Sequence, residues 1–227
     1  MSFDFTPALI SLKVTCVSTA ITFVIGLLLS WCMWQYKGKF KALIDGIITL
    51  PLVLPPTVAG FIILLLIGKN GPIGNFLALF DVKIIFSWYA AVIASVVVSL
   101  PLMYKTSLSA FEQLDPNIAD AARTLGVSEW TVFAKVSLPL AWPGIAAATA
   151  LSFSRSLGEF GATLMVAGSI PGKTQTIPIA IYFATQSGNM KLAFVWVMII
   201  FSISLVTLVS MNYWNQYQFT KKLGSRR

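Results

Sequence analysis

The stretch Asp115-Pro116-Asn117-Ile118-Ala119-Asp120-Ala121-Ala122-Arg123-Thr124-Leu125-Gly126, with Ser128 and Leu138-Pro139 beyond it, decides how this chain is organised. Asp115 followed by Pro116 sets a helix N-cap before a proline at the first helical position, where no N–H is needed, and Gly126 is placed as a helix stop. Between them Ile118, Ala119, Ala122 and Leu125 fall on one face of a short helix. Ser128 caps a second short helix that runs to Leu138-Pro139. The spacing predicts an amphipathic helix-turn-helix suited to a partner's groove. A helix resting on lipid would carry Trp, Phe or Leu where this one has alanines.

On both sides of this segment the chain turns apolar. Of its 227 residues 57% are hydrophobic and 11% charged, and the mean hydropathy is +0.82, which places it in a bilayer rather than among soluble domains. A span takes about 20 apolar residues, and five runs are long enough: residues 7–34, 45–67, 84–104, 140–168 and 192–214. None alternates as a barrel strand does, and helices satisfy their own backbone groups in lipid. The expectation is an all-α integral membrane protein with five transmembrane helices, residues 1–227 forming one transmembrane domain and residues 105–139 its longest loop. The first run is too long for a signal peptide, lacks a basic leader and ends in Trp31, Met33 and Trp34, so it is expected to stay in the mature chain.

The 16 Lys and Arg against 8 Asp and Glu give a net charge of +8. With the N-terminus outside, Lys37, Lys39, Lys41, Lys105, Arg123, Lys135, Lys221, Lys222, Arg226 and Arg227 fall inside, and Lys69, Lys83, Lys173 and Lys191 outside. That positive-inside bias accounts for the excess charge without a nucleic-acid partner. It puts the C-terminus and the 105–139 loop in the cytoplasm. Trp88, Trp196, Tyr213 and Trp214 lie near span ends, where amphipathic rings meet the lipid interface.

The absence of His removes the commonest metal ligand and general base, and two cysteines cannot build a four-ligand zinc site. No catalytic residue and no metal site are expected. Cys16 and Cys32, about 24 Å apart along one helix, cannot pair and read as small core residues.

Two spans carry unusual residues. The second reads Leu50-Pro51-Leu52-Val53-Leu54-Pro55-Pro56-Thr57, where three prolines remove donors and force a bend or break. The freed groups need cover from protein or a water-filled path, so Pro55 and Pro56 are either a packing kink or a piece of such a path. In the fourth span Thr149, Ser152, Ser156, Glu159 and Thr163 step by three and four residues along one helical face, with Arg155 beside it. Ionisable groups deep in a membrane normally face protein or a polar cavity. Two readings stand: Arg155 and Glu159, four apart, form a structural ion pair, or the stripe lines a path on which Arg155 offsets the charge of a passing anion. Ser154, Gly158 and Ala162 form a small-residue ridge for close packing. Gly168-Ser169-Ile170-Pro171-Gly172-Lys173-Thr174 is one residue short of a P-loop and follows a membrane helix rather than a strand, so Pro171-Gly172 reads as a turn.

Asp120-Ala121-Ala122, three residues, Gly126, nine residues, Val136, one residue and Leu138-Pro139 resemble the EAA loop of the membrane subunits of binding-protein-dependent ABC importers. Asp120 stands where that family usually has Glu, and Val136 where it has Ile. Ser154-Arg155-Ser156-Leu157-Gly158-Glu159-Phe160-Gly161-Ala162-Thr163, the following Ile170-Pro171-Gly172-Lys173-Thr174 and Thr176-Ile177-Pro178, and Leu50 to Pro56 with Gly60, Gly68, Gly71 and Gly74 resemble the permeases of molybdate ABC importers. Sulfate permeases share some of this and tungstate permeases are close, so either is the alternative cargo. A stand-alone secondary transporter has no use for such a loop. The resemblance implies the MetI-like permease fold with cytoplasmic coupling helices, in a bacterial inner membrane. It implies a homodimer with its pore between the copies, two cytoplasmic ATPase subunits that use ATP and Mg, and an extracytoplasmic molybdate-binding protein. The chain itself would bind no cofactor. The coupling role falls on Asp120, Ala121, Ala122, Arg123, Leu125, Gly126, Leu138 and Pro139. The candidate path comprises Thr149, Ser152, Arg155, Ser156, Glu159, Thr163, Pro55 and Pro56.

Overall fold

Hydroxyls and small side chains make up much of the inner face of the first helix. In the computed structural model, which describes residues 4–224, α1 (Thr6–Gln35) buries Ser11, Thr15, Ser18, Thr22, Gly26 and Ser30 along one side. That side meets α5 (Trp88–Glu112): Thr22 Oγ1 lies 3.2 Å from Ser99 Oγ, and a Cβ on Gly26 would come within 2.7 Å of Met103 Cγ. Small residues let helix backbones approach closely in lipid, where apolar burial drives no association by itself.

Between these two helices the chain makes a bent pair. α2 (Lys41–Val53) and α3 (Pro56–Ile67) meet at 113°. Pro55 and Pro56 lack the N–H groups needed to continue α2, while Pro56 suits the first turn of α3. The short α4 (Pro72–Ala78) follows. Near its start α2 is tied to α5 by Asp45, whose carboxylate accepts from Tyr104 Oη at 2.8 Å and from Lys105 Nζ at 2.5 Å.

Among the described residues four helical stretches are long and apolar enough to cross a membrane: α1, α5, residues 129–157, and residues 190–210 within the last helix. Counting the bent pair as one crossing makes five. The expected loop 105–139 is largely helix. α5 runs on to Glu112, α6 spans Pro116–Thr124 and α7 spans Glu129–Val132. A π-helical turn, Phe133–Ser137, then joins α7 to α8 (Leu138–Leu157) without a break. The second short helix therefore does not stop at Leu138-Pro139. It continues into the membrane, because Pro139 sits in the first turn of α8, where its missing N–H is tolerated.

The fourth span does break, at Gly158-Glu159-Phe160, before α9 (Gly161–Ala167). α10 (Ile177–Gln186) and α11 (Met190–Gly224) complete the chain. Arg226 and Arg227, assigned by the charge pattern to the cytoplasmic side, lie outside the described residues. Two expectations about burial are corrected. Cys16 and Cys32 are free and exposed, on the apolar outer flank of α1 rather than in its core. Trp196 packs inward against Ile177 and Ala180.

Candidate functional site: a clamped loop and a broken span

Asp115 accepts from Asn117 N at 2.9 Å and caps α6, and Ser128 accepts from Thr131 N at 3.3 Å and caps α7. Gly126 between them adopts φ +73°, the left-handed turn that glycine allows without strain. Arg123 locks the two helices together. Its Nη1 donates to Asp120 Oδ1 at 2.7 Å, its Nε to Glu129 Oε1 at 2.7 Å and its Nη2 to Glu129 Oε2 at 3.1 Å. The hydrogen bonds to Glu129 and then to Asp120 push the guanidinium further above its ordinary range, and the same bonds hold Glu129 below the usual carboxylate range.

The inner side of this unit is fused to the membrane helices. Ala119, Val132 and Phe133 are buried with Leu27, Trp31, Met103 and Phe111 in one cluster. The Trp31 ring lies 4.9 Å from Phe133 and 5.6 Å from Phe111, and Trp34 stacks on Phe111 at 5.9 Å. Ala122 and Leu138 pack at the edge of the same cluster. The expected apolar face of α6 is thus divided: Ala119 faces the chain's own core, while Ile118 and Leu125 are exposed, the latter by 82%. Ala121, Gly126 and Pro139 are also exposed. Val127 and Trp130, which the sequence pattern did not single out, are exposed apolar residues on the same unit. A cavity of about 390 Å³ beside it is lined by Trp34, Lys37, Ala119, Asp120, Arg123 and Glu129.

In the fourth span the helical stripe ends at Gly158, so Glu159 and Thr163 do not continue the face of Thr149, Ser152 and Ser156 as a regular helix would require. Arg155 Nη1 donates to Glu159 Oε2 at 2.7 Å, and Glu159 Oε1 accepts from Ala162 N at 2.8 Å. One buried carboxylate thus closes an ion pair and satisfies an orphan donor at the start of α9. Ser152 and Thr163 are buried, Ser156 Oγ lies 2.5 Å from Ser18 Oγ on α1, and Thr149 Oγ1 donates to Ile145 O at 2.8 Å. Most of the stripe faces protein. The hydroxyl row on α1, legible as Ser11, Thr15, Ser18 and Thr22 at spacings of four, three and four, supplies that contact through Ser18, while Ser11 accepts from Ile177 N and Thr22 meets Ser99.

The two breaks in the chain meet. Gly161 approaches Pro56 and Thr57 so closely that a Cβ would lie 3.2 Å from each side chain, and a Cβ on Gly60 would lie 2.7 Å from Ala162 Cα. Pro55, Pro56 and Thr57 are exposed at this junction, and the Arg155 side chain, 31% exposed, precedes it by one helical turn. Gly161 and Ala162 serve this crossing of α3 and α9, whereas a Cβ on Gly158 would meet only Ser154 O at 3.7 Å, so the small residues do not form one continuous ridge. Among the described residues no cluster of His, Cys, Asp and Glu could hold a metal ion.

Comparison with known proteins agrees with this architecture. The family described as "Binding-protein-dependent transport system inner membrane component" matches residues 22–216. The chain is 43% identical over 180 residues to the molybdenum transport system permease protein ModB of Escherichia coli (strain K12), covering 79% of each. It is 37% identical over 196 residues to the sulfate transport system permease protein CysT of the same organism, covering 86% of this chain and 71% of that one. Its fold matches a chain of the MetNI methionine ABC transporter, in an inward-facing conformation, with a TM-score of 0.73 at 16% identity, over 93% of this chain and 94% of that one.

Proposed function

The chain belongs to the family of binding-protein-dependent transport system inner membrane components, and from that premise we propose that it is the subunit through which an ABC importer passes molybdate. It is a non-catalytic, multi-pass inner-membrane component of an ABC-type transporter, whose ATPase is a separate chain. In the proposed assembly two copies enclose the path, two ATPase subunits dock on the 115–132 units, and an extracytoplasmic binding protein delivers the anion. The N-terminus lies outside and the C-terminus in the cytoplasm.

One observation carries the coupling role: the exposed Ile118, Leu125 and Trp130 stand on a unit that Arg123 clamps and an aromatic cluster welds to α1 and α5. A force on that surface passes into the membrane helices instead of bending a loop. Asp120 and Arg123 act inside the clamp, Ala121, Leu125 and Gly126 on its surface, and Ala122, Leu138 and Pro139 where it joins the bundle. The candidate path lies at the junction of the two breaks, with Pro55 and Pro56 exposed on one side and Arg155, a turn before the second break, offering its remaining donors. Ser152, Ser156, Glu159 and Thr163 hold that junction, and Thr149 stands at its edge. Molybdate is favoured by the greater similarity to the molybdenum permease; sulfate is the second reading, on the similarity to CysT.

Purification from the host membrane tests the assembly. An ATPase that co-purifies, with hydrolysis raised by molybdate-loaded binding protein, is the expected result. Anion flux through liposomes holding this chain alone would sink the proposal, and stimulation only by a sulfate-loaded protein would move the cargo to sulfate.

A further inference from the structure

The end of α1 opposite the coupling loop carries a lysine where lipid-facing helices rarely place one. Lys13 shares its helical face with Leu9, Cys16 and Ala20, all exposed. An ammonium on such a flank is driven toward the headgroups. Here it is held: Lys13 Nζ lies 3.8 Å from the centre of the Trp88 ring, a cation–π contact that fixes the charge while leaving N–H donors free. Trp88 is the first residue of α5, at the same end of the bundle, and indoles favour the lipid interface.

A second cation shares the site. A cavity of about 310 Å³ is lined by Ile10, Lys13, Val14, Phe86, Trp88 and Lys173, among others. Lys173 rides on a fixed turn: Gly172 adopts φ +77°, and the buried Thr174 accepts from Ile170 N at 3.0 Å through its hydroxyl. Among the described residues neither lysine forms an ion pair with a carboxylate. Two ammonium groups on one small cavity repel each other, and one anionic group between them reverses the sign of that interaction. The walls below, Ile10, Val14 and Phe86, are apolar.

We propose that this cavity binds an anionic phospholipid of the adjoining leaflet, with the phosphate between Lys13 and Lys173 and the glycerol and upper acyl carbons against Ile10, Val14 and Phe86. A free tetrahedral dianion shares the phosphate's oxyanion chemistry, but the apolar walls offer it nothing. The site depends on the membrane fold and not on the identity of the cargo.

The test uses the full chain, with its co-purifying subunits, in mild detergent. Native mass spectrometry counts bound lipid after addition of phosphatidylglycerol or phosphatidylcholine, and thermal unfolding is followed with each lipid, with inorganic phosphate and with molybdate. Phosphatidylglycerol is expected to be retained and to raise Tm, and phosphatidylcholine to do neither. Near a charged surface each lysine accounts for about fivefold in affinity, so Lys13→Gln with Lys173→Gln should weaken binding roughly 25-fold. The Lys13→Arg, Lys173→Arg pair should keep it, which separates charge from damage to the fold. Equal retention of both lipids, or retention unchanged in the Gln pair, overturns the proposal. So does lysine-dependent stabilisation by phosphate or molybdate without retention of phosphatidylglycerol.

Discussion

Arg123 and Arg155 are almost equally exposed, 33% and 31%, yet their surroundings differ in kind. Arg123 spends three nitrogens on two carboxylates that are themselves more than half exposed. Arg155 spends one nitrogen on Glu159, whose side chain is 2% exposed. A guanidinium has five N–H donors in a rigid fork. With all three nitrogens engaged, as at Arg123, it is a fastener; with one engaged beside a break in the membrane helices, as at Arg155, it has donors left, which on the proposed path would face an anion.

The comparison breaks most readily at Glu159. Removing one partner of a buried pair leaves the other charge stranded, and Glu159→Ala also uncaps α9, so thermal unfolding in detergent should show a loss of about 3 kcal/mol or no folded protein at all. A variant as stable as the parent would mean that the pair does not hold the junction. Arg155→Gln comes next. Losing a charge-assisted hydrogen bond to a passing anion should slow molybdate uptake about tenfold while ATPase association is retained; uptake at the parent's rate removes Arg155 from the path.

Arg123→Gln should barely move overall stability, since exposed pairs contribute about 0.5 kcal/mol each. Its effect belongs in coupling: hydrolysis by the ATPase should respond less to loaded binding protein, with faster amide exchange across 115–132. Unchanged exchange there would show that capping by Asp115 and Ser128 suffices. The smallest effect is on pH. Glu129 is held below the usual carboxylate range by Arg123, so its contribution is complete above that range and is lost as the pH falls through the depressed value. Amide protection of 115–132 should fall with acidification in the parent and stay flat in Arg123→Gln.

The sequence made the caps of the 115–132 unit legible, because Asp115, Ser128 and Gly126 act through their own backbone neighbours. The break at Pro55-Pro56 was legible for the same local reason. The break at Gly158 was not: Ser152, Ser156, Glu159 and Thr163 fit a helical period, and only the capture of Ala162 N by Glu159 ends it. Nor does α6 reveal which apolar residues turn inward, since Ala119 is buried by Phe111 and Phe133, which belong to other elements. Cys16 misled because in a bilayer an apolar surface is as much at home outside as inside.

The unbroken helical run from Glu129 to Leu157 also has a mechanical meaning. At 1.5 Å per residue it is a lever about 43 Å long, so a tilt of about 10° at its Glu129 end swings the far end through roughly 7 Å. Four residues beyond that end, Gly161 meets Pro56 and Thr57 at the elbow. If an ATPase docks on the 115–132 unit as proposed, a small turn of that surface is geared up into a displacement wide enough to separate neighbouring helices, with no stroke of comparable size needed in the ATPase.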